Sequence, residues 1–325
     1  MAHRRQLLAL GAVAPLATSA PTTKALAQSA WRPEKSITLI VAFTAGGGTD
    51  IAARLIARFM ERDLGQSVVV LNRPGAAGEI GFAELARSRP DGYTIGFINT
   101  PPIVTIPIER RSSFAFSDFA MIANIVDDPD GLWVMPNSPY RSVADLIEDA
   151  RRRPETIGYG TTGVGSDDHL AMLALERAAG VKFVHVPYPG AVQIKIDLAS
   201  GLLPLACTNL GDCINDWRQG TLRPLAQMGA TRWERAAELP TLRELGYDVV
   251  MGSMRGMAAP ARVPRAALER LALSVQRTVE NREFQEQANQ QNLPLRFLGP
   301  EAFASELTAM DAEYRELWSR HPWRD

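Results

Sequence analysis

Residues 36–64 read SITLIVAFTAGGGTDIAARLIARFMERDL, and they contain the unit from which the rest of the chain is built. Ser36–Ala42 is a short apolar run rich in isoleucine, leucine and valine, the pattern of a strand buried on both faces. From Asp50 to Leu64 the apolar residues Ile51, Leu55, Ile56 and Phe59 fall at helical spacing. Between the two lies a turn of consecutive glycines, Gly46-Gly47-Gly48, with Asp50 placed to cap the helix. The same unit follows again: Ser67–Leu71 reads as a strand and Gly78–Arg87 as a helix. Tyr93–Ile98 is a third strand, introduced by the turn Pro90-Asp91-Gly92. Strand, helix, strand, helix, strand builds a parallel sheet covered on both faces.

The pattern then restarts. Leu132–Met135 reads as a strand, and Ser142 caps a helix running to about Arg152. Ile157–Gly160, Phe183–Val186 and Leu203–Cys207 are short strands separated by helices over Ser166–Ala179 and Ala191–Ser200. The chain ends in helices over Arg265–Val279 and Pro300–Trp318. This organisation predicts a two-lobed α/β fold, each lobe a mostly parallel sheet flanked by helices, with a ligand cleft between them. Residues 28–125 plus 226–325 are expected to form lobe I and 126–225 lobe II, with linkers near Ala123–Pro129 and Arg223–Gly229.

Composition narrows the partners. Basic and acidic residues number 35 and 36, so nothing in the charge balance points to nucleic acid or an anionic membrane. The 22 prolines and 25 glycines are dispersed rather than clustered, which suits a folded chain with many turns. At the N-terminus, Arg4 and Arg5 precede an apolar run from Leu7 to Ala17, and Ala25-Leu26-Ala27 supplies a signal-peptidase site. Residues 1–27 are therefore read as a cleavable signal peptide, with Gln28 the first mature residue and the periplasm the destination. The adjacent arginines are also weakly similar to a twin-arginine signal, and the export route stays open. In an oxidising compartment Cys207 and Cys213, six positions apart, are expected to form a disulfide. The alternative is two small buried thiols packing near each other. Two cysteines and four scattered histidines offer no metal-ligand spacing, and neither metal nor cofactor is expected.

Two glycine-rich loops carry the candidate chemistry. Phe43 to Asp50 joins the first strand to the first helix, and Gly160 to Ser166 does the same in the second half, with Ser166 as N-cap and His169 one turn in. Consecutive glycines let backbone approach a ligand, and a helix N-terminus directs N–H groups and partial positive charge at it. Gly47 is the position where a side chain is expected to obstruct the ligand. Neither loop is a P-loop or a G-x-G-x-x-G fingerprint. Ser166 and His169 raise the possibility of a serine hydrolase, but their spacing at a helix start is better explained as cap and first-turn residue, and there is no G-x-S-x-G elbow. No enzymatic activity is expected.

Several stretches resemble one family. Ala42 to Asp50 is similar to the P-F-x-x-G-G-x-x-D signature of the substrate-binding components of tripartite tricarboxylate transporters (Bug or TctC-type proteins). Asn72 to Gly78, Pro90 to Thr94, Gly163 to His169, His185 to Ala191 and Leu239 to Gly246 resemble its N-R-P-G-x-G-G, P-D-G-Y-T, G-x-G-S-x-x-H, H-V-P-Y-K-G-A and V-P-T-L-x-E-L-G motifs, in order along the chain. The resemblance implies a type II periplasmic-binding-protein architecture that closes on a small carboxylate ligand. Its partners would be membrane transporter subunits, with a sensor kinase as the alternative, and the protein would be a monomer. It also implies that Phe43, Thr44, Ala45, Gly46, Gly47, Asp50, Thr161, Gly163, Gly165, Ser166 and His169 hold the ligand carboxylate, and that Tyr188, Gly190 and Asn209 line the same cleft. The chain departs from the family at Ala42, where proline is usual, and at Asp167 and Asp168, usually neutral. The acids either stabilise the helix start or turn acidic charge toward the cleft. Met254-Arg255 replaces an aromatic pair, and Arg255 is either a surface side chain or a cation reaching the distal end of the ligand.

Overall fold

The computed structural model describes residues 31–324, and the expected signal peptide, residues 1–27, lies outside them. The opening unit folds as strand β1 (Ile37–Val41) and helix α1 (Gly48–Leu64), which ends at Gly65 in the left-handed conformation. Then come β2 (Val68–Asn72), α2 (Glu79–Arg87), β3 (Thr94–Asn99) and α3 (Pro102–Glu109). A strand of 16 residues, β4 (Phe119–Val134), leads into the second lobe. That lobe contains α4 (Val143–Arg152), β5 (Gly158–Thr161), α5 (Asp167–Ala179), β6 (Val184–Pro187) and α6 (Ala191–Ala199). It continues with β7 (Leu205–Asn209), α7 (Leu210–Arg218) and β8 (Arg223–Gln227). The chain returns to the first lobe as β9 (Gly252–Pro260), α8 (Arg265–Glu280), α9 (Arg282–Gln290), β10 (Leu295–Leu298) and α10 (Pro300–Arg320).

Both lobes are built around one mixed sheet. In the first, β2, β1 and β3 run parallel, and β9 pairs antiparallel with β3 and with the early part of β4. In the second, β7, β5 and β6 run parallel, and β7 and β8 each pair antiparallel with the late part of β4. One continuous strand therefore belongs to both lobes. Alternation along β1 shows how each sheet is buried twice: Ile37, Leu39 and Val41 enter one core cluster, while Ile40 and Ala42 enter another on the opposite face. Each isoleucine, leucine or valine among them taken fully out of water contributes roughly 1.5–3 kcal/mol.

The same alternation overturns the disulfide. Cys207 on β7 packs with Leu132, Val134, Tyr159 and Leu205 on one face of the second sheet. Its neighbour Ala206 faces the other way, and Cys213 on α7 packs on that side with Ala206, Trp133 and Leu210. The sheet stands between the two sulfurs, and both thiols are free and buried. Close spacing in sequence is misleading here because a strand puts successive residues on opposite faces. Burial pushes the Cys213 thiol up to about 12 and Cys207 well above its ordinary value, so neither is a ready nucleophile. We expect a thiol reagent to leave the native protein unmodified and to titrate both cysteines once it is denatured without reductant. A denatured protein with no reactive thiol would restore the disulfide.

Candidate functional site

The strands β1, β5, β6 and β7 all point their carboxyl ends at the gap between the lobes, and each is followed at once by a helix. The N-termini of α1, α5, α6 and α7 consequently converge on one chamber of about 30 Å³. Its walls include Gly47, Gly48 and Thr49 from α1, Asp167 from α5, Gly190 and Ala191 from α6, and Asn209 and Asp212 around the start of α7. Phe43, Thr44, Thr162, Asn99 at the end of β3 and Arg255 on β9 complete the lining. An outer chamber of about 320 Å³ shares Gly47, Ala191 and Asp212 with the inner one and is bordered by Lys195 and Asp216. The inner space has room for about one water, so a larger solute enters only when the lobes part.

Closure brings the lobes into direct contact. The Gly48 N–H donates to Asp212 Oδ1 at 2.6 Å across the cleft. A Cβ on Gly190 would lie 2.5 Å from Thr44 Oγ1, so the absence of a side chain there is a steric requirement of this conformation. At one end of the cleft Thr105 Oγ1 donates to the Gly165 carbonyl at 2.7 Å.

Arg255 is not a surface side chain: it is 1% exposed and forms part of the chamber's wall. Its Nη1 lies 3.2 Å from Asp128 Oδ2, and its Nη2 donates to Asn209 Oδ1 at 2.8 Å and to Asp212 Oδ2 at 3.3 Å. Burial alone would favour the neutral guanidine, but Asp128, Asp212, Asp167 and Asp130 outweigh it and hold Arg255 charged. Burial pushes Asp128 up to about 7 despite the guanidinium. Asn209 Nδ2 lies within 2.9 Å of the Asp128 carbonyl, Asp130 Oδ1 and Asp167 Oδ2 together. Burial first, and then the neighbouring Asp167 and Asp168, drive Asp130 well above the carboxylate range.

The residues singled out in the sequence fall in several places. Phe43, Thr44, Gly47, Gly190, Asn209 and Arg255 line the inner chamber. Gly46 and Gly47 border the outer chamber, while Gly163 and Tyr188 border a separate depression. Ala45 is exposed. The others are engaged within the loops. Asp50 accepts from the Gly46 N–H, Arg54 and Asn72, each at 2.9 Å, which together outweigh burial and hold its carboxyl below the usual range. Ser166 accepts from the His169 N–H at 3.3 Å, as an N-cap does, and donates to the Gly163 carbonyl at 2.7 Å. His169 Nδ1 accepts from the Gly165 N–H at 3.1 Å, and its ring stacks on His185 at 4.0 Å. The two side chains are thus not arranged as nucleophile and base. Thr161 Oγ1 lies 2.5 Å from His185 Nε2.

Of the two new acids, Asp168 accepts from the Thr162 N–H and hydroxyl and stays inside its own loop, its carboxyl pushed up to about 8 by burial and by Asp167. Asp167 faces the cleft. Gly47 has φ −78° and only the Thr44 carbonyl within 4 Å of an added Cβ, at 3.6 Å, so a side chain there meets no protein atom closely. At the adjacent Gly48 an added Cβ would meet Arg255 Nη1 and Asp212 Oδ1. Sequence reasoning also missed Asn99, Thr49 and Asp212. Asp212 could have been suspected as a first-turn acid on a helix following a strand.

Two α/β lobes sharing crossing strands, with helix N-termini ringing a cleft between them, define a solute-binding protein of the periplasmic-binding-protein type. Residues 52–296 match the family described as the tripartite tricarboxylate transporter family receptor (TctC), and the chain belongs to that family. It is 33% identical over 266 residues to the "UPF0065 protein in gbd 5'region" of Cupriavidus necator, covering 79% of each chain. Among solved structures it is similar to the periplasmic binding protein BugD, at 29% identity and a TM-score of 0.84, covering 89% of this chain and 98% of that one. R. palustris Rpa4515 with adipate is similar at 31% identity and TM-score 0.84, covering 88% and 97% respectively.

Proposed function

We propose that this protein is an extracytoplasmic solute-binding protein that captures a small carboxylate in the interlobe cleft and delivers it to a tripartite tricarboxylate-type transporter. The observation that carries this reading is the convergence of four helix N-termini, one from the first lobe and three from the second, on a chamber that also contains Arg255. Helix N-termini suit a carboxylate, and a chamber walled from both lobes couples its binding to closure. Rpa4515, solved with adipate, accords with that chemistry. In this reading the mature chain works as a periplasmic monomer after removal of residues 1–27. Lobe I is 28–125 plus 226–325, and lobe II is 126–225.

The glycine loops act in two ways. Phe43, Thr44, Gly47, Gly190 and Asn209 face the solute, whereas Asp50, Thr161, Gly163, Gly165, Ser166 and His169 hold the loops in shape. A thermal-shift screen over carboxylic acids should find a ligand, because one that binds only the native state raises its stability. Calorimetry on that acid and its primary amide should then show the amide binding about ten- to hundredfold more weakly, as hydrogen bonds to a charged group are the stronger ones. Equal affinities for acid and amide would sink the carboxylate reading.

A further inference from the structure

Four helix starts bring positive potential to the cleft, but three of them are already balanced. The first N–H of α1 is taken by Asp212. Helix α5 opens with Asp167 and Asp168 behind the Ser166 cap, and α7 has Asp212 in its first turn. Helix α6 differs: its cap is Gly190, and among the described residues it has no side-chain cap and no acid in its first turn. Arg255, the one cationic side chain lining the inner chamber among the described residues, is itself engaged by Asp128, Asp212 and Asn209. The place left for an anion is the N-terminus of α6, where Ala191 borders both chambers.

The rest of the inner wall asks for the opposite charge. Asp167 and Asp212 both line it. Asn99, 5% exposed, lines it too; its Nδ2 donates to Thr49 Oγ1, and its Oδ1 has no hydrogen-bond partner among the described residues. Thr44 Oγ1 in the same lining is likewise without a partner among them. A buried acceptor without a donor is unfavourable by about 1–3 kcal/mol, a deficit that a donor on the solute removes. A second carboxylate would instead meet two carboxylates in a chamber closed from water, where like charges repel strongly.

We propose that the cleft takes a zwitterion, with one carboxylate on the N-terminus of α6 and one protonated amine among Asp167, Asp212 and Asn99, in preference to a dicarboxylate. This rests on the reading of the cleft as a carboxylate site. The test uses matched sets: each α- or ω-amino acid beside the acid lacking the amine and the diacid with a carboxylate in its place. Valine, isovalerate and isopropylmalonate form one set; 4-aminobutyrate, butyrate and glutarate form another. Calorimetry on the mature protein should find a set in which the amino acid binds at least about tenfold more tightly than both companions. Asp212→Asn and Asp167→Asn should each remove most of that preference, read within each variant as the ratio of the amino acid's affinity to that of its amine-free companion. Using both variants guards against either one folding poorly, and a melting curve identifies that case. A diacid or plain acid binding most tightly would overturn the zwitterion and leave the carboxylate reading standing. If no carboxylate of any set binds, the carboxylate reading falls, and this inference with it.

Discussion

Replacing Arg255 with methionine is expected to lower stability by about 3–5 kcal/mol, seen as a fall in Tm on the order of 10 °C. Methionine keeps much of the volume of the buried stem, so the loss is that of the guanidinium and not of packing. What remains is an acidic interior without its cation. Asp128 sits on β4 at 0% exposure, accepts from the Gly211 N–H at 3.1 Å, and has Arg255 as its ion-pair partner. Asp212 loses its contact on the same side while retaining the Gly48 N–H. Removing one member of a buried charged group is more harmful than never having had it, because the others stay desolvated and uncompensated. The double variant Arg255→Met/Asp128→Asn should therefore recover part of the loss, since it removes the carboxylate left most isolated. Thermal and urea unfolding of the wild type and both variants measure this. Arg255→Met as stable as wild type would show that the network contributes nothing, and a double variant weaker than the single one would show that Asp128 is not the stranded group.

That network also explains what is and is not legible in the sequence. The units of strand, glycine turn and helix are readable because their signals are local: alternating burial along β1, apolar spacing along α1, the Ser142 and Ser166 caps. Strand β4 is not. Its middle, Asp127-Asp128-Pro129-Asp130-Gly131, has the composition of a turn and reads as a linker. It is held extended by partners from distant parts of the chain: β9 pairs along it, Asn209 bonds the Asp128 carbonyl and Asp130, and Arg255 neutralises Asp128. Tertiary pairing overrides local preference here, and it does so where the cleft is built. Helix α3 is hidden for a related reason, with Pro107 inside it and an almost wholly apolar surface that is largely buried. The candidate loops are legible as glycine-rich turns, but which of their residues face the cleft depends on the other lobe, and no local pattern carries that information.

The second large effect is expected at Gly48. Gly48→Ala should lower affinity for the best carboxylate of the screen by about a hundredfold, ~2.7 kcal/mol. Gly48 is the first residue of α1, where alanine is no worse for the helix than glycine. Against Asp212, which stands on the other lobe, its cost appears only on closure. An added Cβ would lie 2.5 Å from Asp212 Oδ1 and in contact with the Arg255 guanidinium. Neither neighbour is free to yield: Asp212 is held by the Gly48 N–H itself, and Arg255 is fixed by Asp128 and Asn209. The substituted protein can fold with its lobes apart, but the closed form, with ligand donors from both sides in place, becomes a minor population. Apparent affinity falls with that population. Gly47→Ala is the comparison within the same loop: φ −78° suits any residue and its nearest neighbour, the Thr44 carbonyl, stands 3.6 Å from the new Cβ, so closure is left free and any loss there reports contact with the solute. Calorimetry should therefore separate two adjacent glycines in one loop, Gly48→Ala losing far more affinity than Gly47→Ala. If both variants bind alike, closure over Gly48 is not what holds the ligand, and the donors must be sought elsewhere in the cleft.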